Sequence, residues 1–199
     1  MKIGILGGTF DPVHRGHLMV AEEARARLGL SEVYFVPAAR TPLKEGGSIL
    51  TAEHRVQMVR LAIADYPYFK LETLEIDRPG PSYTVDSIAE LRNKFGPENE
   101  LFFIIGWDSL AQFPRWKEPA RIIQMCYLVA VPRPGYALPD RESLEAAVPG
   151  ISLKLIVLKG PEINISATEI RERVARGLPI SDLVPEPVAE YIKQHKLYL

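Results

Sequence analysis

Short runs of apolar residues recur along the chain, and longer segments in which apolar and polar residues alternate separate them. The runs are rich in Ile, Val, Leu and Phe and are mostly continuous, which is typical of strands that are covered on both faces. They predict buried strands at Lys2–Leu6, Glu32–Val36, Lys70–Ile76, Glu100–Ile105, Tyr127–Val131 and Leu153–Leu158.

The segments between these runs carry apolar residues at intervals of three and four, the spacing of one helix face. The first helix is predicted to begin near Gly16 and to end at Gly29, a residue type that commonly terminates helices. Thr51 is placed to cap a second helix, a third spans Thr84–Phe95, and another is expected over Pro187–Leu199. The apolar side of the second helix is predicted to comprise Val56, Val59 and Ile63.

Strands that alternate with helices predict an α/β protein with a Rossmann-like, doubly wound parallel sheet in three layers. The chain has no internal repeat and no low-complexity linker, so we expect residues 1–199 to form a single domain. Its helical C-terminal portion begins at about residue 161. Ligands of such sheets bind beyond the carboxyl ends of the strands, so the segments that follow strands are where chemistry is expected.

Composition narrows the class of function. Hydrophobic residues make up 47% and charged residues 25%, and the formal net charge of -1 argues against a strongly basic nucleic-acid-binding protein. The single cysteine, Cys126, excludes an internal disulfide framework and a Cys-based zinc module. No apolar run approaches the roughly 20 residues of a membrane span, and the first strand does not resemble a secretory signal. We therefore expect a cytoplasmic protein that binds neither membrane nor nucleic acid.

The densest group of candidate residues follows the first strand, in Gly7-Gly8-Thr9-Phe10-Asp11-Pro12-Val13-His14-Arg15-Gly16-His17. The adjacent glycines allow the backbone to approach a ligand closely and to adopt positive φ. The two histidines flank a helix start, where exposed N–H groups and the helix dipole attract an anion. The segment is neither a Walker A loop nor a Gly-x-Gly-x-x-Gly fingerprint, which argues against a dehydrogenase. A zinc site would need ligands beyond these, and the remaining candidates are scattered: His54, His195 and Cys126.

These residues resemble the nucleotidyltransferase α/β-phosphodiesterase superfamily, whose signature is Gly-x-Phe-x-Pro-x-His-x-Gly-His. Every position is matched, by Gly8, Phe10, Pro12, His14, Gly16 and His17. The second superfamily signature, Ile-Ser-x-Thr-x-Ile-Arg, is matched by residues 165–171, with Ala167 where serine is frequent. The resemblance implies that an anionic oxygen attacks the α-phosphate of a nucleoside triphosphate and expels pyrophosphate. Ser166 and Glu169 also form a capping-box pattern, which predicts a helix that stops at Gly177.

The remaining motifs resemble the bacterial nicotinate mononucleotide adenylyltransferases over essentially the whole chain. The segment Thr41-Pro42-Leu43-Lys44 stands where that family has Pro-Pro-His-Lys, so Lys44 corresponds to its phosphate-contacting lysine and Leu43 departs from the pattern. The segment Ser82-Tyr83-Thr84 corresponds to its substrate loop, whose amides are expected to receive the nicotinate carboxylate. Trp116 corresponds to an aromatic that stacks on the pyridine, and Trp107 stands where alanine is frequent.

The resemblance implies a set of site residues with three roles. Alignment and charge neutralisation at the reacting phosphate are assigned to His14, His17, Lys44 and Arg171. ATP binding is assigned to Gly8, Thr9, Phe10, His14, His17, Gly106, Asp108, Arg133, Ile165, Ser166, Thr168 and Arg171. Binding of nicotinate mononucleotide is assigned to Gly7, Thr9, Lys44, Ser82, Tyr83, Thr84, Asp108 and Trp116.

The implied reaction transfers the adenylyl group of ATP to nicotinate mononucleotide and gives nicotinate adenine dinucleotide and pyrophosphate, in NAD biosynthesis. A phosphate monoester has a second pKa near ~6 and is largely dianionic at neutral pH, so no general base is expected. Mg²⁺ is expected to enter with ATP, held mainly by substrate phosphates rather than by protein ligands. The resemblance also implies a homodimer.

Other functions stay open from the sequence. Phosphopantetheine adenylyltransferase, or a related adenylyl- or cytidylyltransferase, shares both phosphate motifs, although the length of the chain, Ser82–Thr84 and Trp116 argue against it. A non-catalytic nucleotide sensor is the alternative from a different class, since a fold does not by itself prove chemistry. The intact phosphate-handling residues argue against the sensor.

Overall fold

The computed structural model describes residues 1–39, 50–159 and 164–199. The strands in these ranges are β1 (Lys2–Gly8), β2 (Glu32–Pro37), β3 (Phe69–Leu71), β4 (Glu100–Gly106), β5 (Tyr127–Val131) and β6 (Leu155–Val157). All neighbouring strands pair in parallel, in the order β3-β2-β1-β4-β5-β6. The order reverses at β1, so the sheet has a topological switch point between β1 and β4.

Helices connect the strands. They are α1 (Arg15–Leu28), α2 (Ala52–Ile63), α3 (Leu74–Asp77), α4 (Thr84–Phe95), α5 (Trp107–Gln112), α6 (Pro119–Met125), α7 (Arg141–Ala147), α8 (Ala167–Ala175) and α9 (Glu186–Gln194). Short 3-10 turns span Phe113–Arg115 and Ile151–Leu153. Across the described ranges, no helix combines the length and the apolar character that crossing a bilayer requires.

Both faces of the sheet are covered, because successive strand residues point to opposite faces and both sets are apolar. Leu6 packs in a core with Met58 of α2 and Val188 of α9, whereas its neighbour Ile5 packs in a second core with Ile88 of α4. The predicted three-layer, doubly wound α/β fold is therefore confirmed.

The third predicted strand, Lys70–Ile76, is wrong in its second half. The strand ends at Leu71, and α3 follows, with the Ile76 N–H bonded to the Thr73 carbonyl oxygen at 2.8 Å. Apolar residues alternate with charged ones across this segment, a pattern that fits a strand and a single helical turn equally well. The sixth strand is also shorter than predicted, because Ile151–Leu153 forms a turn that leaves Leu153 exposed.

Helix boundaries follow their predicted signals closely. Helix α1 begins at Arg15 and ends before Gly29, whose φ of 64° is left-handed, and α4 has the predicted bounds. Ser166 caps α8 through its hydroxyl, which accepts from the Glu169 N–H at 3.2 Å. The last helix, predicted over Pro187–Leu199, is wrong beyond Gln194, where the backbone leaves the helical region.

Candidate active site

A cavity of about 840 Å³ opens where the carboxyl ends of β1, β4 and β5 meet the starts of α1, α4, α5 and α8. Its volume is in the range of small-molecule sites. With one exception, every residue that the sequence assigned to catalysis or binding lines this cavity. The exception is Lys44, which lies outside the described residues together with Thr41, Pro42 and Leu43.

The two motif histidines form a stacked pair at the start of α1. Their ring centroids are 3.7 Å apart, and the backbone N–H of His14 donates to Nδ1 of His17 at 3.2 Å. A nitrogen that accepts a hydrogen bond carries no proton, so the neutral ring of His17 holds its proton on Nε2. His17 therefore presents an N–H donor from the ring atom opposite the helix start.

His14 is buried and electrically neutral. Burial, together with the positive charge of Arg133, lowers the pKa of His14 to about 4. Its Nδ1 atom is buried and makes no hydrogen bond to any residue that the structure describes. A buried polar atom without a partner is costly, which makes this nitrogen a candidate ligand contact.

The turn between β1 and α1 is built around Phe10. The positive φ that the adjacent glycines allow occurs elsewhere in the turn: Gly7 and Gly8 are not left-handed, and Phe10 adopts φ 52°. Its ring is 2% exposed and meets the ring of His17 edge-on at 4.9 Å. A Cβ on Gly8 would come within 3.1 Å of this ring, so a larger residue there would push against the packed Phe10 side chain.

Arg171 joins the two phosphate motifs. Its guanidinium donates to the backbone oxygen of Asp11 at 2.9 Å and to the Thr168 hydroxyl at 3.3 Å. The first contact lies in the β1–α1 turn, and the second lies in the first turn of α8. The start of α8 is thereby fixed beside the start of α1, and both helix ends face the same cavity.

Asp108 and Arg133 form an ion pair at the ends of β4 and β5, with Oδ2 and Nη1 3.1 Å apart. The other carboxylate oxygen, Oδ1, is buried and has no hydrogen-bond partner in the described part of the chain. A Cβ on Gly106 would lie 2.5 Å from this oxygen, so glycine lets the Asp108 carboxylate keep this position, and a larger residue would make the carboxylate shift. Asp108 therefore retains an acceptor for a ligand hydroxyl.

Ser82 lines the cavity in the loop before α4, and its side chain is bonded within the protein. The Ser82 hydroxyl accepts from the Ala39 N–H at 3.1 Å and donates to the buried carboxyl group of Glu75. Glu75 also accepts from the Ser87 hydroxyl at 2.6 Å, and Arg78 in turn donates to Ser87. Burial raises the pKa of Glu75, while both hydroxyls and Arg78 oppose that shift. The Ser82 hydroxyl is thus bonded within the protein and fixes the loop in front of α4.

Trp116 follows the 3-10 turn after α5 and lies against Phe113 and Phe103 at centroid distances of 5.4 and 6.1 Å. Its indole nitrogen is buried without a hydrogen-bond partner among the described residues. Lys117 lies over the ring of Tyr83, 4.5 Å from its centroid. Trp107 packs against the core on the α4 side of the sheet.

Several charged residues that line the cavity are not among the site residues assigned from the sequence. They are Asp11, Glu75, Arg115 and Lys117. Asp11 lies inside the first motif, which is a signal that could have identified it. Glu75 lies in a segment mistaken for a strand, and the two cations flank Trp116 in the sequence.

The residues 1–39, 50–159 and 164–199 contain no group of three or more side chains placed to hold a metal ion. Asp108 pairs with Arg133, Glu75 holds two serine hydroxyls, and Asp11 accepts from Tyr198 at 2.6 Å. This donor set does not form a protein cage. It fits Mg²⁺ that is coordinated mainly by ligand phosphates and water.

Comparison with known proteins gives the family. The model of the cytidylyltransferase-like family matches residues 5–173. A protein of Dehalococcoides mccartyi (strain CBDB1), named "Probable nicotinate-nucleotide adenylyltransferase", is 48% identical over 198 residues, which are 100% of this chain and 97% of that protein. The chain belongs to the nicotinate-nucleotide adenylyltransferase family.

A second relative and a solved structure agree with this result. A relative of the same name from Roseiflexus sp. (strain RS-1) is 48% identical over 196 residues, 98% of this chain and 97% of its own. The solved structure of Plasmodium falciparum nicotinic acid mononucleotide adenylyltransferase complexed with NaAD is similar with a TM-score of 0.79 at 22% identity. That similarity covers 99% of this chain and 97% of the Plasmodium chain, and it supports the fold.

Proposed function

We propose that the protein transfers the adenylyl group of ATP to nicotinate mononucleotide, giving nicotinate adenine dinucleotide and pyrophosphate in NAD biosynthesis. The observation that carries the proposal is that the two phosphate motifs and the Ser82–Thr84 loop line one cavity, although they are far apart in the sequence. The names of the relatives and the NaAD bound to the Plasmodium enzyme support the same function. Residues 1–199 act as one nucleotidyltransferase domain.

In this reaction a phosphate oxygen of nicotinate mononucleotide attacks the α-phosphorus of ATP. A new P–O bond forms, the bond to the bridging oxygen of the β-phosphate breaks, and pyrophosphate leaves with the electron pair. The attacking phosphate is already largely dianionic at neutral pH, so no proton has to be removed. The task of the protein is to align the reactants and to neutralise charge in the transition state.

Two neutral imidazoles and two cations stabilise that charge. His17 donates through Nε2–H, because its Nδ1 accepts from the backbone. His14 remains neutral at pH 7 and lines the same cavity, with its Nδ1 buried and without a partner among the described residues. Arg171 spans the two motifs, and Lys44 is assigned as a further cation at the phosphates.

ATP occupies the side of the cavity between β1, β4 and α8. The start of α8 offers backbone N–H groups to the triphosphate, and the oxygen that Asp108 retains accepts from a ribose hydroxyl. Arg133 lies beside Asp108. The full ATP set that we propose is Gly8, Thr9, Phe10, His14, His17, Gly106, Asp108, Arg133, Ile165, Ser166, Thr168 and Arg171.

Nicotinate mononucleotide occupies the opposite side. The amides of Tyr83 and Thr84, at the start of the 12-residue α4, receive the nicotinate carboxylate, and Trp116 stacks on the pyridine ring. Gly7, Thr9 and Lys44 contact its phosphate and ribose. Ser82 contributes by holding the loop in place.

Mg²⁺ is proposed as an ion that accompanies ATP. When bound, it supplies charge neutralisation at the triphosphate. The described residues offer it no cage, so removal of Mg²⁺ by EDTA is expected to abolish turnover without lowering the melting temperature. Differential scanning fluorimetry on EDTA-treated protein checks the second part, and a large loss of stability would indicate a resident structural metal instead.

The decisive experiment supplies purified protein with ATP, Mg²⁺ and one of three acceptors. Nicotinate mononucleotide is expected to give the dinucleotide and equimolar pyrophosphate, nicotinamide mononucleotide a slower reaction, and phosphopantetheine none. Adenylylation of phosphopantetheine alone would overturn the assignment in favour of that enzyme class. Binding of ATP without turnover on any acceptor would favour a nucleotide sensor.

The proposal also covers where the protein is located in the cell and how it assembles. We place the enzyme in the cytoplasm, where ATP and pyridine nucleotides are made, and we propose a homodimer. Light scattering of the purified protein tests the assembly, and cell fractionation with an antibody tests the location.

A further inference from the structure

Arg55 is a charged side chain inside the protein, on α2, and it does not line the cavity. It is 1% exposed. Its Nη1 donates to the backbone oxygens of Thr9 and Ala38, both at 2.7 Å, and its Nε donates to that of Leu50 at 3.4 Å. Burying a guanidinium is costly unless its donors are satisfied, so these carbonyl groups are held where Arg55 requires them.

Asp11 is a second buried charge and lies two residues after Thr9. It is 5% exposed, and its carboxylate accepts from the Tyr198 hydroxyl at 2.6 Å and from the Leu50 N–H at 3.3 Å. Burial lowers the pKa of Arg55 and the nearby Asp11 carboxylate opposes that shift, so the two charges stabilise each other. Burial and the Asp11 carboxylate raise the pKa of Tyr198, which stays a neutral donor.

The backbone between these contacts is strained. Phe10 lies between Thr9 and Asp11 and has a left-handed φ of 52°, and Tyr198 has a φ of 65°. Such conformations are unfavourable in residues other than glycine, and they persist only where the surroundings hold them. Here the Thr9 carbonyl is held by Arg55, and the Asp11 side chain is held by Tyr198.

We propose that Arg55, Asp11 and Tyr198 form a buried clamp that positions the turn Thr9–His14, and with it the phosphate-binding groups, for adenylyl transfer. This inference rests on the proposed function. Arg55 and Tyr198 are positioning residues, since neither lines the cavity. They act through Phe10, whose ring supports His17, and through Asp11, whose backbone oxygen holds Arg171.

The clamp also has an electrostatic role. Asp11 lines a cavity that receives a triphosphate, and an uncompensated carboxylate there would repel the ligand. Arg55 compensates this charge from behind the turn, and the Tyr198 hydroxyl and the Leu50 N–H occupy its oxygens. The turn therefore presents N–H groups and rings to the ligand, rather than an uncompensated negative charge.

The test compares two tyrosines of the same C-terminal segment. Tyr198→Phe removes the hydroxyl that bonds Asp11, and Tyr191→Phe removes a hydroxyl that bonds His54 Nδ1 at 2.9 Å, away from the turn. We expect Tyr198→Phe to lower kcat about 10- to 100-fold, with the KM for nicotinate mononucleotide unchanged, because a small misplacement of aligned groups has this cost. Tyr191→Phe is expected to keep the wild-type kcat.

A second readout needs no substrate. Hydrogen–deuterium exchange of peptides that cover residues 9–14 is expected to quicken in Tyr198→Phe and to stay at the wild-type rate in Tyr191→Phe. Arg55→Lys keeps the charge but cannot reach three carbonyls, so it is expected to reproduce both effects more strongly. If Arg55→Lys fails to fold, the two tyrosine variants still decide the question.

Equal kcat and equal exchange in the two tyrosine variants would overturn the clamp and leave a contribution to stability only. Failure of the proposed function looks different. In that case the wild type would not adenylylate nicotinate mononucleotide, while exchange in the turn would still distinguish Tyr198→Phe from Tyr191→Phe.

Discussion

At one end of the cavity, buried polar atoms of His14 and Asp108 have no hydrogen-bond partner among the described residues. At the other end the indole nitrogen of Trp116 is in the same state, but the hydroxyls of Ser82 and Ser87 are bonded within the protein. We call the first, formed by the β1–α1 turn, the start of α8 and Asp108, the phosphate end. The second, formed by Glu75, Ser82–Thr84 and Trp116, is the pyridine end.

The difference shows how each end acts. Partnerless polar groups become satisfied when the ligand arrives, so the phosphate end can stabilise charge that develops during the reaction. The pyridine end is a shaped pocket whose hydroxyls are already committed, so it selects the ligand by fit and by backbone amides. Mutations at the phosphate end are therefore expected to act on kcat, and mutations at the pyridine end on KM.

The largest effect is expected from His17→Ala, which removes the Nε2–H donor at the phosphate end. We expect kcat to fall at least about 100-fold, the scale of losing one transition-state donor. Steady-state kinetics measure it, with the exposed His195→Ala as the matched control. Near-wild-type turnover of His17→Ala would contradict the claim that the phosphate end controls kcat.

The buried neutral state of His14 is expected to make the protein sensitive to acid. The unfolded chain takes up a proton near pH 6.5, whereas the folded protein does so near pH 4, so the free energy of unfolding falls as the pH drops between these values. From pH 7 to pH 5 the wild type is expected to lose about 2 kcal/mol more than His14→Gln does. Urea denaturation at the two pH values checks this, and parallel losses would contradict it.

Trp116→Ala tests the pyridine end. Loss of an aromatic stacking partner is expected to raise the KM for nicotinate mononucleotide about 10-fold, on the scale of one base–aromatic stack. The KM for ATP, measured on the same variant, is the internal control and is expected to stay at the wild-type value. A joint rise of both KM values would show that the two ends are not separable.

The smallest effect is expected from Glu75→Gln, which tests how far the hydrogen bonds of Glu75 hold the loop before α4. The amide oxygen still accepts from one serine hydroxyl, but the NH₂ group cannot accept from the other, so the loop before α4 loosens. We expect the KM for nicotinate mononucleotide to rise about fivefold at constant kcat, the scale of one hydrogen bond. Glu90→Gln is the control, because exposed Glu90 bonds Arg78 of the same loop.

Most of the fold could be predicted because four strands are long, buried and continuous in their apolar residues. The ends of β1, β2, β4 and β5 lie within two residues of the prediction. The error at β3 has a physical cause, since Leu74-Glu75-Ile76 alternates as an edge strand would. One face of that helical turn buries Leu74 and Glu75 together, which the alternation could not show.

The residues gathered in the cavity could be predicted where the backbone itself supplies the signal, at helix starts that follow strands. The clamp could not be predicted in this way, because a helical arginine is usually solvated. A signal was nevertheless present: Arg55 precedes Val59 by four residues and Ala62 by seven, so it shares their buried face. The predicted apolar side included Val56, and this choice rotated the predicted buried face away from Arg55.

The hydrogen bond from the His14 backbone to Nδ1 of His17 has a spectroscopic consequence. With the tautomer fixed, the two ring nitrogens of His17 have separate ¹⁵N resonances, one of pyridine type and one of pyrrole type. Phosphate contact at Nε2–H moves the second and leaves the first in place. His17 is thus a site-specific NMR reporter that follows the arrival of a nucleotide without any label on the nucleotide.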